Sequence, residues 1–247
     1  MFRILHPIYQ VSIKLPDNSK SIEVKMNNTS FVLSGDSMDS SFNTAIAELY
    51  KNEYNLSEEI VLNKIFIDVG AGYGEVGILA SLYKASKVYI YEPNPCLFRY
   101  LENNASPFKN IFIYNVGVYS QKAKSTLYFR NTGSGSGSIS EVQYDPASIT
   151  GQDRFKVEID LIGIEQILNL CRKSEVIIKI DAEGAEYKII DTIKNFKYNH
   201  IITDLRIEYR AGVQFIISGL ASIGFSCRTF HKMEQMVLIK ATRINIR

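Results

Sequence analysis

The stretch Phe66-Ile67-Asp68-Val69-Gly70-Ala71-Gly72-Tyr73-Gly74-Glu75 decides the fold, because in it a short apolar run ends in a glycine-rich loop. Residues 65–69 are typical of a buried strand, and residues 75–83 are typical of a helix. Glycine permits unusual backbone dihedrals and lets a ligand approach the backbone closely. A strand, a glycine loop and a helix in this order predict a ligand site at the carboxyl end of the strand.

Strands and helices alternate downstream of this loop. Further strands are predicted at residues 87–91, 111–116, 175–180 and 201–208, and helices at residues 95–103, 163–171, 184–195 and 213–223. Near-continuous apolar strands separated by helices favour a parallel sheet covered on both faces. Residues 225–230 and 235–240 are joined by a short polar turn and are expected to pair antiparallel. The sequence therefore predicts an α/β fold with a mostly parallel, Rossmann-like sheet that ends in an antiparallel hairpin.

The first 60 residues show a different pattern. Two extended segments, residues 8–15 and 21–26, flank the turn-forming sequence Pro16-Asp17-Asn18-Ser19, which predicts a β-hairpin. Asp39 or Ser40 is a suitable N-cap for a helix that runs to about residue 54. We therefore expect an N-terminal hairpin and helix cap over residues 1–60 and a ligand-binding α/β domain over residues 61–247.

The middle of the chain is less regular. Residues 125–130 have the composition of an extra strand, and residues 131–140 are rich in glycine and serine. This composition is typical of a flexible surface loop, and it also suits a lid that closes over a site. The sequence leaves both interpretations open.

Composition disfavours several classes of protein. A net charge of +2, from 28 basic and 26 acidic side chains, gives no reason to expect a nucleic-acid partner. The three cysteines are far apart and are expected to be buried, reduced thiols. No apolar run resembles a signal peptide or a membrane span, so we expect a soluble cytoplasmic protein. Oligomeric state cannot be derived from these features.

The charge of the glycine loop indicates which ligand it takes. Gly72-x-Gly74-x-x-Gly77 matches the dinucleotide fingerprint, so an NAD-dependent oxidoreductase is one alternative. However, Asp68 and Glu75 would repel a pyrophosphate, whereas they suit S-adenosylmethionine, which carries a sulfonium and an ammonium. We therefore expect this cofactor to bind against the loop, which includes Gly70 and Tyr73.

Further cofactor contacts are expected at the ends of the next two strands. Glu92 ends the second strand within Tyr91-Glu92-Pro93-Asn94-Pro95, where a carboxylate can accept both ribose hydroxyls. Pro93 and Asn94 are assigned to the same site. Asn115 and Val116 follow the third strand and are expected to lie next to the adenine.

A second group of charged residues, Lys179-Ile180-Asp181-Ala182-Glu183-Gly184-Ala185-Glu186, ends the fourth strand. Lys179 and Asp181 are two residues apart on a strand and point to the same face. Charged groups at the end of an apolar strand are costly unless they are paired or used. Capping of the next helix is one explanation, and it suits Glu186. For Asp181 we expect catalysis or ligand binding, because it borders the crevice of the glycine loop.

These three motifs, in this order, resemble the FkbM-type methyltransferases of the class I superfamily. The likeness covers roughly residues 64–210, and its most specific part is the stretch from Lys179 to Glu186. It implies a class I methyltransferase domain and O-methylation of a hydroxyl on a sugar, a glycan or glycolipid, or a natural product. The chain departs from the family pattern at Leu161-Ile162, where the family usually has Leu-Asp.

Methyl transfer to oxygen requires positioning of the acceptor and removal of its proton. We expect Asp181 to act as the base or to orient the acceptor, with Lys179 and Glu183 tuning its charge and Glu208 reaching the same crevice. A Mg²⁺ ion on these carboxylates is an alternative that the spacing does not require, so no metal is predicted. A nucleic-acid or other N-methyltransferase and a non-catalytic donor-binding protein are the remaining alternatives.

Overall fold

The structure is a computed structural model that describes residues 2–5, 9–13, 21–26, 29–36, 40–129, 137–139, 155–209, 212–233 and 236–244. Within these ranges the strands are β1 (Phe2–Leu5), β2 (Tyr9–Ile13), β3 (Ser21–Met26), β4 (Thr29–Ser34), β5 (Ile65–Val69), β6 (Lys87–Tyr91), β7 (Ile111–Tyr114), β8 (Gly117–Tyr119), β9 (Ala123–Phe129), β10 (Phe155–Gly163), β11 (Val176–Ile180), β12 (Ile202–Tyr209), β13 (Phe225–Met233) and β14 (Met236–Arg243). The helices are α1 (Ser40–Lys51), α2 (Glu58–Val61), α3 (Glu75–Leu82), α4 (Pro95–Ala105), α5 (Ile164–Leu170), α6 (Glu186–Asn195) and α7 (Val213–Ala221), and a 3-10 helix covers Asn199–Ile201.

The central sheet has the strand order β13-β14-β12-β11-β5-β6-β7. The five strands from β12 to β7 run parallel, and β14 pairs antiparallel with both β12 and β13. All five residues of β5 and of β11 are buried, because helices cover both faces of the sheet. The predicted α/β fold with a C-terminal antiparallel hairpin is therefore confirmed.

Two hydrophobic clusters form the core, one on each face of this sheet. On one face, residues of α3 and α4 pack with the N-terminal segment, including Phe42 and Leu49 of α1. On the other face, α5, α6 and α7 cover the strands with side chains such as Ile167, Ile189 and Leu220. The carboxyl ends of the parallel strands are left open to ligands between these layers.

The N-terminal segment forms a four-stranded antiparallel sheet in the order β1-β2-β3-β4, which confirms the predicted hairpin. Asn104 of α4 ties this sheet to the glycine loop. Its side-chain amide donates hydrogen bonds to the carbonyls of Ser34 (3.0 Å) and Tyr73 (2.9 Å), and its carbonyl accepts from Ser34 N–H (2.8 Å). The predicted turn at residues 16–19 lies outside the described residues.

A small sheet with the order β8-β10-β9 was only partly predicted. Strand β9 corresponds to the expected strand at residues 125–130, but β10 was missed. β10 pairs antiparallel with β9 and parallel with β8, and its alternate residues Ile159 and Leu161 are buried. Most of the glycine- and serine-rich stretch at residues 131–140 lies outside the described residues.

The three cysteines are free thiols, as expected, but only Cys171 is buried, whereas Cys96 and Cys227 are partly exposed. No helix within the described ranges is long and apolar enough to cross a membrane.

Candidate active site

A cavity of about 290 Å³ lies at the carboxyl ends of β5, β6, β11 and β12. The glycine loop forms its floor, α1 closes one side and the small sheet closes another. The residues that line it are Ser41, Thr44, Ala45, Glu48, Val69, Gly70, Ala71, Gly72, Tyr73, Glu75, Glu92, Pro93, Asn94, Leu97, Gly117, Val118, Leu127, Gly137, Ile139, Ile159, Leu161, Lys179, Asp181, Ala182, Glu183, Ala185, Glu208 and Met236. The cavity therefore lies where the glycine loop predicted a ligand site.

The glycine loop needs its glycines for two different reasons. Gly70 has a φ of +70°, and a Cβ atom there would lie 1.8 Å from the carbonyl oxygen of Asp181, so only glycine fits between β5 and β11. Gly72 has a φ of +56° but no atom within 4 Å of such a Cβ, so this side of the loop is open. Gly74 caps α3 in the left-handed conformation and does not line the cavity.

Lys179 is the cation at the centre of the site. Its Nζ donates a hydrogen bond to the Gly70 carbonyl at 2.7 Å and lies 3.4 Å from Asp68 Oδ1 and 3.7 Å from Asp181 Oδ2. Burial lowers the pKa of Lys179, but the surrounding carboxylates, Asp68 first, outweigh burial and raise the pKa above its usual value. Lys179 is therefore a charged ammonium that holds the glycine loop against β11.

Asp68 does not line the cavity, contrary to its predicted role in cofactor binding. It is fully buried beneath the loop, outside the cavity wall, and it faces Lys179. Burial raises the pKa of Asp68, and Lys179 opposes that shift. The structure thus uses Asp68 to fix Lys179, and the acidity of the cavity comes from other residues.

Asp181 and Glu208 line the cavity and converge on Tyr54, which follows α1. The Tyr54 hydroxyl lies 3.5 Å from Asp181 Oδ2 and 3.4 Å from Glu208 Oε2. Arg206, fully buried on β12, donates its Nε–H to the Tyr54 carbonyl at 2.7 Å and so positions this residue. The Asp181 side chain is 24% exposed, which keeps one carboxylate accessible to a ligand.

The turn after β11 presents Glu183 to the cavity. Glu183 has a φ of +44°, a left-handed conformation that costs a non-glycine residue about 1 kcal/mol or more. The Glu186 carboxylate stabilises the turn by accepting hydrogen bonds from the N–H groups of Ala182 and Gly184, both at 2.8 Å. Burial raises the pKa of Glu186 to about 7. Glu186 therefore holds the turn before α6, which begins at Glu186 instead of residue 184.

Glu92 lies at the end of β6 and holds the glycine loop. Its carboxylate accepts hydrogen bonds from the N–H groups of Gly72 and Asn94, both at 2.8 Å. Burial raises the pKa of Glu92 to about 7, although both backbone donors oppose this shift. A carboxylate has about four acceptor positions, so two remain for a ligand in the cavity that Glu92, Pro93 and Asn94 line.

The contacts expected after β7 are shifted along the chain. Asn115 and Val116 do not line the cavity, and Gly117 and Val118 do. The Asn115 side chain instead donates hydrogen bonds to the carbonyls of Glu92 (2.8 Å) and Pro93 (3.2 Å). Strand β7 ends at Tyr114, two residues before the predicted end.

Sequence reasoning missed two parts of the cavity wall. Glu48 of α1 lines it together with Ser41 and Thr44, and the apolar residues Leu127, Ile159 and Leu161 come from the small sheet. The alternation of apolar and polar residues in β10 was a signal for that strand. Nothing in the sequence indicates that α1 folds back over the glycine loop, because only the tertiary structure brings them together.

The cavity thus has an acidic side and an apolar side. Within the described ranges, no group of three or more His, Cys, Asp and Glu side chains is arranged to hold a metal ion. The acidic side suits a cationic ligand group, and the apolar side suits a flat apolar group such as a nucleobase.

The family model described as "Methyltransferase FkbM domain" matches residues 68–237 of the chain. The match covers more than half of the chain. The protein belongs to the FkbM methyltransferase family. The match contains the stretch from Lys179 to Glu186 and most of the cavity wall, but it begins after α1. Among curated proteins none matches the chain.

Solved structures similar to this FkbM-family chain have low sequence identity. TYW2 from M. jannaschii, in complex with AdoMet, is 14% identical, with 93% of this chain and 90% of that chain covered and a TM-score of 0.47. Precorrin-6y C5,15-methyltransferase from Geobacter metallireducens GS-15 is 15% identical, with 81% and 89% covered and a TM-score of 0.42. The fold assignment rests on the strand order and the family match.

Proposed function

We propose that this methyltransferase binds S-adenosylmethionine in the cavity and methylates a hydroxyl group of a sugar, a glycan or glycolipid, or a natural product. The observation that carries the proposal is the position of Asp181. It lines the cavity beside the glycine loop, is partly exposed and is fixed by Lys179 and Tyr54. The hydroxyl acceptor comes from the family resemblance, and a neutral hydroxyl compound suits an acidic cavity better than a nucleic-acid phosphate backbone does.

The residues present fit the methyl donor. Gly117 and Val118 with the small sheet offer an apolar surface for the adenine. Glu92 has acceptor capacity left for the ribose hydroxyls. The acidic residues of the cavity, such as Glu75, suit a positively charged ligand and would repel the pyrophosphate of NAD. Membership of a methyltransferase family favours the same donor over a nicotinamide cofactor.

When bound, S-adenosylmethionine supplies a methyl group activated by a sulfonium. The protein then needs to hold the acceptor and accept its proton. We assign proton acceptance to the Asp181 carboxylate. Lys179 Nζ lies 3.7 Å from that carboxylate, and the Tyr54 hydroxyl donates a hydrogen bond to it at 3.5 Å. Glu183 and Glu208 line the same part of the wall and are assigned to the binding of the acceptor's other hydroxyl groups.

Replacement of the proposed base tests this function. Asp181→Asn keeps the side-chain shape but removes the proton acceptor, so turnover should fall by about 10² or more. The assay measures S-adenosylhomocysteine release with a panel of sugars and glycolipids, together with calorimetric affinity for S-adenosylhomocysteine. Asp160→Asn, an exposed carboxylate on β10, is the control and should retain turnover.

The two measurements separate the outcomes. We expect Asp181→Asn to lose turnover and to keep its affinity for S-adenosylhomocysteine. Full turnover in Asp181→Asn would show that Asp181 is not the base. An equal loss of product affinity would instead assign Asp181 to donor binding.

A further inference from the structure

Two buried carboxylates line the cavity where α1 packs beside α3. Glu75 begins α3 and is 4% exposed, and Glu48 on α1 is 8% exposed. Among the described residues, Glu75 Oε2 has no hydrogen-bond partner. A buried carboxylate oxygen without a partner is costly, so a bound group that donates to it would relieve this cost.

The electrostatics of the pair indicate a cationic ligand. Burial first, and then the negative charge of Glu48, raise the pKa of Glu75 well above its usual value. Lys179 opposes this shift, but its Nζ is committed to the Gly70 carbonyl, Asp68 and Asp181. No other lysine, arginine or histidine within the described ranges lines the cavity. A cationic ligand group in the cavity would therefore compensate the charge of Glu75.

We infer that Glu48 and Glu75 together bind the α-ammonium group of the methyl donor's methionine moiety. This inference rests on the proposed function, because it requires S-adenosylmethionine in the cavity. An ammonium has three N–H donors and can donate to Glu75 Oε2 and to the Glu48 carboxylate at once. Asp68, the other acid of the glycine loop, is not available since it lies outside the cavity wall and faces Lys179.

The inference gives the N-terminal segment a defined role. Glu48 belongs to α1, which precedes the family match at residues 68–237. Helix α1 would then complete the donor site, and the cavity would hold the methionine moiety only when the N-terminal segment is packed on α3. The segment is thus proposed to act in donor recognition as well as in folding.

The experiment compares two ligands that differ in the methionine moiety. S-adenosylhomocysteine carries the α-ammonium, whereas 5′-methylthioadenosine keeps the adenosine and the sulfur but lacks the amino acid part. Both are titrated calorimetrically into the full chain, alongside S-adenosylmethionine, as wild type and as the variants Glu75→Gln and Glu48→Gln. Glu102→Gln, an exposed residue on α4, is the matched control.

We expect each variant to bind S-adenosylhomocysteine at least about tenfold more weakly than wild type, as for the loss of a charged hydrogen bond, and to bind 5′-methylthioadenosine unchanged. Thermal unfolding without ligand provides a second readout. The melting temperature of Glu75→Gln should stay the same or rise, because this substitution removes the charge repulsion between Glu75 and Glu48. The Glu102→Gln control should match wild type in every measurement.

Three results would overturn the inference. The first is a variant affinity for S-adenosylhomocysteine equal to that of wild type. The second is an equal loss of affinity for S-adenosylhomocysteine and 5′-methylthioadenosine. The third is a loss of affinity for S-adenosylmethionine alone, which would place the sulfonium at the pair. If wild type binds neither S-adenosylmethionine nor S-adenosylhomocysteine, the proposed function itself fails. The wild-type titration therefore separates the two failures.

Discussion

Replacement of Lys179 by methionine tests the charge arrangement beneath the glycine loop. Methionine is unbranched and of similar length, so Lys179→Met removes the ammonium with little change in packing. The Nζ forms a charged hydrogen bond to the Gly70 carbonyl at 2.7 Å and an ion pair with fully buried Asp68 at 3.4 Å. Removal of one partner of a buried pair costs about 3–5 kcal/mol, because the other charge stays uncompensated.

The pH dependence of this loss has a definite sign. Without Lys179, the pKa of Asp68 in the folded protein should rise further, since burial already raises it. The pKa in the unfolded chain stays near about 3.9. As the pH falls through the folded-state pKa, the folded variant binds a proton that the unfolded chain does not, and its stability increases. The loss should therefore be smaller at about pH 5.5 than at about pH 8.

Urea unfolding of wild type, Lys179→Met, Asp68→Asn and the double variant measures these free energies. The double variant should be more stable than Lys179→Met alone, because the added Asp68→Asn substitution removes the uncompensated buried charge. A free energy of unfolding for Lys179→Met within about 1 kcal/mol of wild type at about pH 8 would refute the argument. A double variant no more stable than Lys179→Met would refute it as well.

Three further predictions concern the framework of the site. Asn104→Ala removes three hydrogen bonds that join α4 to the N-terminal sheet and the glycine loop. Urea unfolding should therefore show a free energy of unfolding lower by about 2–4 kcal/mol. The control Asn103→Ala, at an exposed position on the same helix, should change this free energy by less than about 0.5 kcal/mol. Gly70→Ala forces a Cβ into the backbone of the neighbouring strand and should abolish folding or ligand binding, whereas Gly72→Ala costs only about 1–2 kcal/mol in the same unfolding assay. Burial raises the pKa of Glu92 to about 7, and ribose hydroxyls bind its charged form, so affinity for S-adenosylhomocysteine should fall as the pH drops below about 7. Calorimetry should show a weaker pH dependence in Glu92→Gln, and an identical pH profile would contradict this assignment.

Much of the central sheet was predictable from sequence. Strands β5 and β6 have the predicted bounds because each is a mostly apolar run that ends at a sharp change in composition. The parallel arrangement followed from alternation with helices, and the C-terminal hairpin from its polar turn. The glycine loop located the cavity because ligands bind at the carboxyl ends of such strands.

The individual contacts of the site were less predictable. A motif places a residue near the crevice but does not say whether its side chain reaches the ligand space. Asp68 was expected in the cavity but lies beneath it, and Asn115 was expected beside the adenine but bonds to carbonyls of the β6–α4 turn. Tyr54 and Glu48 come from the N-terminal segment, and only packing brings them to the site. Their roles depend on contacts between residues distant in sequence.

Calorimetric titration of the wild-type protein with S-adenosylmethionine, S-adenosylhomocysteine and NADH tests the central claim most directly. The claim is that the acidic cavity on the glycine loop accepts a cationic methyl donor. We predict that the first two ligands bind at one site per chain and that NADH gives no binding heat. Binding of NADH without either of the other ligands would contradict the account and would identify the loop as a dinucleotide site.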